Sequence, residues 1–174
     1  MKVLVTGGVR SGKSCHAEGL LADAESVTYV APGPTLERDA DPDWAARITA
    51  HQARRPTSWQ TLETHDLAAA LTTPGPVLVD CLGTWLTAVL DERDLWEAPS
   101  DQVTRIVSDL LDESTTLLSA RDDVVLVTNE VGLGVVPSHR SGRLFRDLLG
   151  LTNQRLAAAC DEVHLVIAGR VLSL

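Results

Sequence analysis

Short runs of consecutive apolar residues alternate along this chain with longer segments in which apolar residues recur every three or four positions. The first pattern is typical of strands buried on both faces, and the second is typical of helices that cover such strands. We predict strands at residues 3–6, 27–30, 77–80, 124–128, 163–168 and 171–172. We predict helices at about residues 13–24, 44–54, 67–71, 84–90, 100–118 and 142–160, with Ser100 as the N-cap of the fifth. This alternation predicts an α/β fold with a mostly parallel central sheet, helices on both faces and a short antiparallel strand at the C-terminus.

Two segments depart from the regular pattern. Residues 36–43 are acidic and interrupted by proline, which favours a mobile loop. Gly150 lies within the last predicted helix, where a glycine can break or kink the chain.

Length, charge and cysteine content limit the classes of protein to which this chain can belong. A chain of 174 residues fits one domain, 1–174, and a net charge of −9 argues against a nucleic-acid binder, which would present a basic face. The three cysteines are too far apart for a disulfide framework or a zinc site, so we expect a cytoplasmic protein. No apolar run approaches the length of a membrane span, and the strand at residue 3 leaves no room for a signal-peptide core.

The most specific motif follows the first predicted strand and opens the first predicted helix. It matches the phosphate-binding pattern G-x-x-x-x-G-K-[ST] and reads Gly7-Gly8-Val9-Arg10-Ser11-Gly12-Lys13-Ser14. Glycines allow backbone N–H groups to surround phosphate oxygens, and the helix N-terminus adds a partial positive charge. Lys13 can bridge the β- and γ-phosphates, and the Ser14 hydroxyl can bind Mg²⁺. The motif therefore predicts a nucleoside triphosphate site.

Asp80 ends an apolar strand downstream of this motif. In P-loop folds such a carboxylate is typical of the Mg²⁺ site, whereas a cap at a strand end is the alternative. Residues 80–83 also spell D-x-x-G, which occurs in regulatory GTPases. The chain has no N-K-x-D motif to read guanine, which disfavours a GTPase switch.

A basic segment surrounds His51 in the second predicted helix. On a helix, Arg47, Arg54 and Arg55 lie three or four residues from His51. Neighbouring cations disfavour protonation of an imidazole and could hold a triphosphate. Spacing alone favours a solvated basic helix face instead, and Glu63 would by the same reasoning be an ordinary surface acid.

A polar group ends the strand at 124–128 and precedes a glycine-containing loop at 131–137. Asn129 and Glu130 stand between the two. Such a position suits a substrate-facing edge of an α/β sheet, and a tight turn explains it equally well.

These motifs together resemble one enzyme family. The resemblance covers nearly the whole chain and rests on the G-G-x-R-S-G-K-S form of the phosphate loop, on Arg47-Ile48 leading to His51, and on N-E-V-G-L-G-V-V-P at 129–137, with Phe145-Arg146-Asp147 after it. The chain is similar to the bifunctional adenosylcobinamide kinase/adenosylcobinamide-phosphate guanylyltransferase family. The family implies two reactions. ATP or GTP phosphorylates the aminopropanol hydroxyl of adenosylcobinamide, and GTP then transfers GMP to that phosphate through a guanylylated histidine.

The resemblance also implies roles for individual residues. His51 matches the guanylylated histidine, and Ser14 and Asp80 would hold Mg²⁺. The implied nucleotide contacts are Gly7, Gly8, Val9, Arg10, Ser11, Gly12, Lys13, Ser14, Ala31, Pro32, Gly33, Gln52, Ala53, Arg54, Arg55, Glu63 and Asp80. Our hypothesis is that Glu63 accepts hydrogen bonds from the guanine N1–H and amino group. The implied partners are the small-molecule corrinoid and further copies of the chain in a homotrimer.

Two other functions are compatible with the sequence. One is a P-loop kinase for another small hydroxyl substrate, in which His51 is structural. The other is a GTP-dependent switch that binds a partner protein.

Overall fold

One sheet of seven strands forms the centre of the computed structural model, which describes residues 1–34 and 41–174 except the side chains at 44 and 47. The strands are β1 Lys2–Gly7, β2 Thr28–Ala31, β3 Gln60–Glu63, β4 Val77–Asp80, β5 Val124–Val127, β6 Glu162–Ile167 and β7 Arg170–Ser173. Their order across the sheet is β3-β2-β4-β5-β1-β6-β7. Every neighbouring pair is parallel except the C-terminal pair β6 and β7. The predicted mostly parallel sheet with an antiparallel C-terminal strand is confirmed.

Helices cover both faces of this sheet. They are α1 Lys13–Leu20, α2 Pro42–Arg54, α3 Leu67–Leu71, α4 Leu82–Glu92, α5 Ser100–Ser119 and α6 Arg140–Ala157. One apolar cluster joins α3, α4, α5 and α6 to one face, and a smaller cluster joins α1 to the other. Strand β1 shows how the sequence produces this arrangement. Val3 and Val5 belong to the smaller cluster, whereas Leu4 between them belongs to the larger, because successive side chains of a strand point to opposite faces.

The structure contains an edge strand that the sequence pattern did not predict. Strand β3 pairs with β2 at the edge of the sheet, and only Leu62 among its four residues is partly buried. A largely exposed edge strand needs no run of apolar residues, so the hydrophobic pattern of the sequence does not reveal such a strand.

Helix α2 begins earlier than predicted. The carboxylate of Asp41 accepts a hydrogen bond from the backbone N–H of Asp43 at 2.9 Å, and Pro42 occupies the first helical position. Pro42 and Asp43 are therefore helical rather than part of a mobile loop. The rest of that predicted loop, residues 36–40, lies outside the described residues.

Other helix predictions also differ from the structure. Helix α6 passes through Gly150 without a break, and nothing lies within 4 Å of the position of a side chain there. Helix α1 ends at Leu20 rather than near residue 24. Ser100 is the first residue of α5 rather than its cap, and its side chain makes no capping hydrogen bond.

Candidate active site

The loop between β1 and α1 has the geometry of a phosphate cradle. Gly12 precedes the helix with φ 96°, a conformation that glycine adopts without steric cost. The ammonium group of Lys13 donates a hydrogen bond to the carbonyl of Gly8 at 3.1 Å, so the side chain folds back over the loop. Lys13 is only 9 % exposed, and it lies at the N-terminus of α1, where helix dipoles favour anions.

The strand β6 and the turn after it support this loop from behind. A Cβ on Gly7 would lie 2.4 Å from the carbonyl oxygen of Val166, so only glycine fits at this position. The backbone N–H of Gly169 donates to the carbonyl of Ser11 at 2.8 Å. The β6–β7 hairpin therefore fixes the conformation of the phosphate loop.

A cleft opens between this loop, helix α2 and the C-terminal ends of the parallel strands. Ala31 ends β2, Glu63 ends β3 and Asp80 ends β4, so all three come to the same edge of the sheet. Many of the predicted site residues line the cleft together: Lys13, Ser14, Ala31, Gly33, His51, Gln52, Arg55, Glu63 and Asp80.

Helix α2 brings His51 into this cleft. Its Nδ1 lies 3.3 Å from the hydroxyl oxygen of Tyr29 and 3.6 Å from Oδ2 of Asp80. The side chain is partly buried, and burial is the largest cause that lowers the pKa of His51. Arg54 and Arg55 lower the pKa further, whereas Asp80 raises it. The expected direction is confirmed, but burial rather than the arginines is the main cause.

The arginines near His51 have other partners. Arg54 forms two hydrogen bonds with the carboxylate of Glu18, at 3.0 and 3.1 Å, and these raise the pKa of Arg54. Arg55 donates to the backbone carbonyl of His51 at 3.1 Å, and its guanidinium lies 3.7 Å from the centre of the Tyr29 ring. The side chain of the third arginine, at position 47, lies outside the described residues.

Other predicted residues lie beside the cleft rather than in its lining. Val9 is 77 % exposed, and Arg10 is also exposed at the turn of the phosphate loop. Pro32 is buried, and Ala53 is exposed on α2. Neither Pro32 nor Ala53 is among the residues that line the cleft.

The cleft also contains residues to which the sequence analysis assigned no role. Tyr29, Cys81 and Thr84 line it. Tyr29 is the only tyrosine of the chain. It stands near the end of a predicted strand, and this position is the feature of the sequence that could have indicated a place in the site. Burial raises the pKa of the Cys81 thiol, which keeps it protonated and weakly reactive.

The polar group after β5 contributes Asn129 to the cleft. Asn153 of α6 accepts a hydrogen bond from the Thr128 hydroxyl at 2.6 Å and donates one to the Asn129 carbonyl at 3.1 Å. Helix α6 therefore fixes the end of β5. Glu130 accepts a hydrogen bond from the backbone N–H of Gly132 at 2.5 Å, which holds the start of the glycine-containing loop.

The donor atoms at the cleft suit Mg²⁺. Ser14 supplies a hydroxyl and Asp80 a carboxylate, and hard cations prefer oxygen ligands. Within residues 1–34 and 41–174 there is no cluster of three or more histidine, cysteine or acidic residues that could hold a metal by themselves. At nucleotide sites Mg²⁺ is held by one or two protein oxygens together with phosphate oxygens and water, and Ser14 and Asp80 offer such oxygens.

In the described part of the chain, no helix has both the length and the apolar character that a membrane span requires.

The fold and the phosphate loop place the chain among the P-loop nucleotide-binding α/β proteins. A solved ATPase of the type III secretion system of pathogenic bacteria shares this fold, with a TM-score of 0.53 and 12 % identity over 94 % of this chain and 50 % of that one. The family model described as cobinamide kinase / cobinamide phosphate guanyltransferase matches residues 3–174. The chain belongs to this family of transferases, and the resemblance inferred from its motifs is confirmed.

Curated relatives support the same assignment over their full length. The bifunctional adenosylcobalamin biosynthesis protein CobU of Salmonella typhimurium is 41 % identical over 179 residues, which cover 97 % of both chains. The Escherichia coli protein of the same name gives the same values. The bifunctional adenosylcobalamin biosynthesis protein CobP of Pseudomonas aeruginosa is 35 % identical over 182 residues, covering 100 % of this chain and 97 % of that one.

Proposed function

We propose that this protein is a bifunctional enzyme of cobalamin biosynthesis that phosphorylates adenosylcobinamide and then transfers GMP to the new phosphate. Membership of the cobinamide kinase / cobinamide phosphate guanyltransferase family supports this function. The single observation that carries the mechanism is that Lys13, His51 and Asp80 line one cleft. His51 would then be a nucleophile in the same cavity as a triphosphate held by the phosphate loop.

The kinase reaction uses the phosphate loop. The hydroxyl oxygen of the corrinoid's aminopropanol arm attacks the γ-phosphorus of ATP or GTP and forms an O–P bond. The bond from the γ-phosphorus to the β–γ bridging oxygen breaks, ADP or GDP leaves with its electrons, and the hydroxyl proton passes to water. Lys13 and the backbone N–H groups of the loop stabilise the charge on the phosphates. Ser14 and Asp80 would hold Mg²⁺, which neutralises phosphate charge when bound.

The guanylyltransferase reaction uses His51 as a covalent catalyst. A ring nitrogen attacks the α-phosphorus of GTP, an N–P bond forms, and pyrophosphate leaves with the electrons of the broken P–O bond. A phosphate oxygen of adenosylcobinamide phosphate then attacks the same phosphorus, and the N–P electrons return to the imidazole. The lowered pKa of His51 favours the neutral ring that this attack requires.

Other cleft residues would select and orient the nucleotide. Glu63 would accept the guanine N1–H and amino hydrogens, and Gln52 and Arg55 would contact the phosphates or sugar. Ala31 and Gly33 would form the wall after β2. Arg54, which binds Glu18, would act by holding α2 against α1.

The proposal also covers the domain organisation, the location, the assembly and the partners of the protein. We propose one domain over 1–174, a cytoplasmic location, a homotrimeric assembly and no nucleic-acid partner. The net charge of −9 supports the last of these, and the widely spaced cysteines support a reducing compartment.

Two labelled substrates test the proposal with one set of proteins. Wild type should transfer the γ-phosphoryl group of ATP to adenosylcobinamide, and should retain an acid-labile label from α-labelled GTP. His51→Ala should lose only the second activity, and Lys13→Ala should lose both. If wild type phosphorylates the corrinoid but retains no label, the protein is a kinase alone. If it acts on no corrinoid, the proposed substrate is wrong.

A further inference from the structure

The hydroxyl of Tyr29 connects His51 with Asp80. It lies 3.1 Å from Asp80 Oδ2 and 3.3 Å from His51 Nδ1, and Tyr29 itself is only 3 % exposed. The direct distance from His51 Nδ1 to Asp80 Oδ2 is 3.6 Å, which is too long for a good hydrogen bond. The tyrosine hydroxyl is therefore the polar link between the imidazole and the carboxylate.

The proton on this hydroxyl points to Asp80. A carboxylate can only accept, and an ionised acceptor binds a donor more strongly than a neutral imidazole nitrogen does. The hydroxyl oxygen then presents a lone pair to His51, so the contact is a hydrogen bond only when Nδ1 carries a proton. A tyrosine hydroxyl ordinarily loses its proton only near pH 10, so it carries one at neutral pH.

We propose that Tyr29 is a positioning residue that holds neutral His51 in the Nδ1–H tautomer and leaves Nε2 as the nucleophile. This inference rests on the proposed guanylylation of His51. When the Nε2 lone pair forms the bond to phosphorus, the ring becomes cationic without any proton transfer. The new charge is shared with Nδ1–H, which faces the hydroxyl oxygen of Tyr29 and the carboxylate of Asp80.

Arg55 contacts both Tyr29 and His51. Its guanidinium stacks on the Tyr29 ring at 3.7 Å, and its Nε donates to the backbone carbonyl of His51 at 3.1 Å. Tyr29→Phe keeps the ring beneath Arg55 and removes only the hydroxyl. That substitution therefore isolates the tautomer from the packing of the cleft.

The tautomer can be measured in the full chain without any substrate. In protein labelled with ¹⁵N-histidine, the His51 ring should show a protonated Nδ1 and an unprotonated Nε2 at neutral pH. The signals of His51 are identified by their loss in His51→Gln. A wild-type spectrum with the proton on Nε2 overturns the inference, whether or not the protein captures GMP.

Tyr29→Phe then tests the consequence for the reaction. Its His51 spectrum should move toward the Nε2–H tautomer, and the single-turnover rate of GMP capture should fall about 10- to 100-fold, since one hydrogen bond to a charged group is lost. The KM for GTP should stay unchanged, because the hydroxyl acts on the nucleophile rather than on the nucleotide. An unchanged capture rate, or a loss expressed only in KM, contradicts the inference. If wild type captures no GMP, the proposed function fails, and the wild-type spectrum alone decides the tautomer.

Discussion

The imidazole Nδ1 of His51 lies 3.6 Å from Oδ2 of Asp80. Different roles are expected of the two residues: His51 is expected to take the guanylyl group, and Asp80 to hold Mg²⁺ beside the phosphates. Lys13 lines the same cleft. We therefore expect the two proposed reactions to share one triphosphate site rather than to use two.

A shared site predicts competition between the two nucleotides. A non-hydrolysable ATP analogue should raise the apparent KM for GTP in the GMP-capture assay without lowering the maximal capture rate, because both ligands need the phosphate loop at Lys13. Initial rates over a matrix of both nucleotides measure this. Inhibition that lowers the maximal rate at saturating GTP would indicate separate sites.

The lowered pKa of His51 predicts the acidic limb of GMP capture. A histidine with an ordinary pKa is half protonated near pH 6.5, and a lower pKa leaves more of the neutral nucleophile at that pH. The midpoint of the acidic fall in the single-turnover capture rate should therefore lie below pH 6.5. Mg²⁺ at Asp80 would act in the same direction, because a nearby cation disfavours imidazolium. A midpoint at or above pH 6.5, while phosphoryl transfer shows no such fall, argues against this environment.

Glu63 is predicted to determine the preference for guanine. The substitution Glu63→Gln keeps the size of the side chain, but the new amide has one acceptor oxygen instead of two, and its NH₂ group would oppose the guanine donors. Glu63→Gln should therefore lower the ratio of kcat/KM for GTP to that for ATP by about tenfold or more. Glu97→Gln is a matched control, because Glu97 is exposed and lies outside the cleft lining. An unchanged ratio in Glu63→Gln would remove Glu63 from guanine recognition.

Alanine substitutions at Gly7 and Gly19 should change the free energy of unfolding in opposite directions. Gly7→Ala would place a methyl group 2.4 Å from the Val166 carbonyl and 2.8 Å from the Ser11 hydroxyl. We expect a loss of about 1–3 kcal/mol in unfolding free energy together with weaker nucleotide binding. Gly19→Ala meets nothing within 4 Å inside helix α1 and should gain up to about 1 kcal/mol. Urea unfolding and nucleotide titration measure both. Equal stability of the two variants would show that β6 does not constrain the loop.

The sequence predicted the elements whose signal is local. The apolar run of β1 and the motif from Gly7 to Ser14 fix a strand, a turn and a helix start within a dozen positions, so each could be placed without tertiary information. Strand β3 was not predicted because its pairing with β2, rather than its own hydrophobicity, makes it a strand.

The chemistry of the site depended on contacts between distant segments. The ion pair of Arg54 with Glu18 joins α2 to α1, and the hydroxyl of Tyr29 reaches from β2 to Asp80 at the end of the neighbouring strand β4. Neither contact follows from spacing along the chain. Periodicity could place His51 on a basic helix, but the fold was needed to show which groups surround its ring.

The residue to which GMP becomes attached decides whether His51 is the nucleophile. Wild-type protein is incubated with GTP and Mg²⁺, digested under non-acidic conditions that preserve phosphoramidates, and its peptides are sequenced by mass spectrometry. We expect a GMP adduct on His51 and on no other histidine. An adduct on His16, His65, His139 or His164, or capture of GMP that survives in His51→Ala, would contradict it.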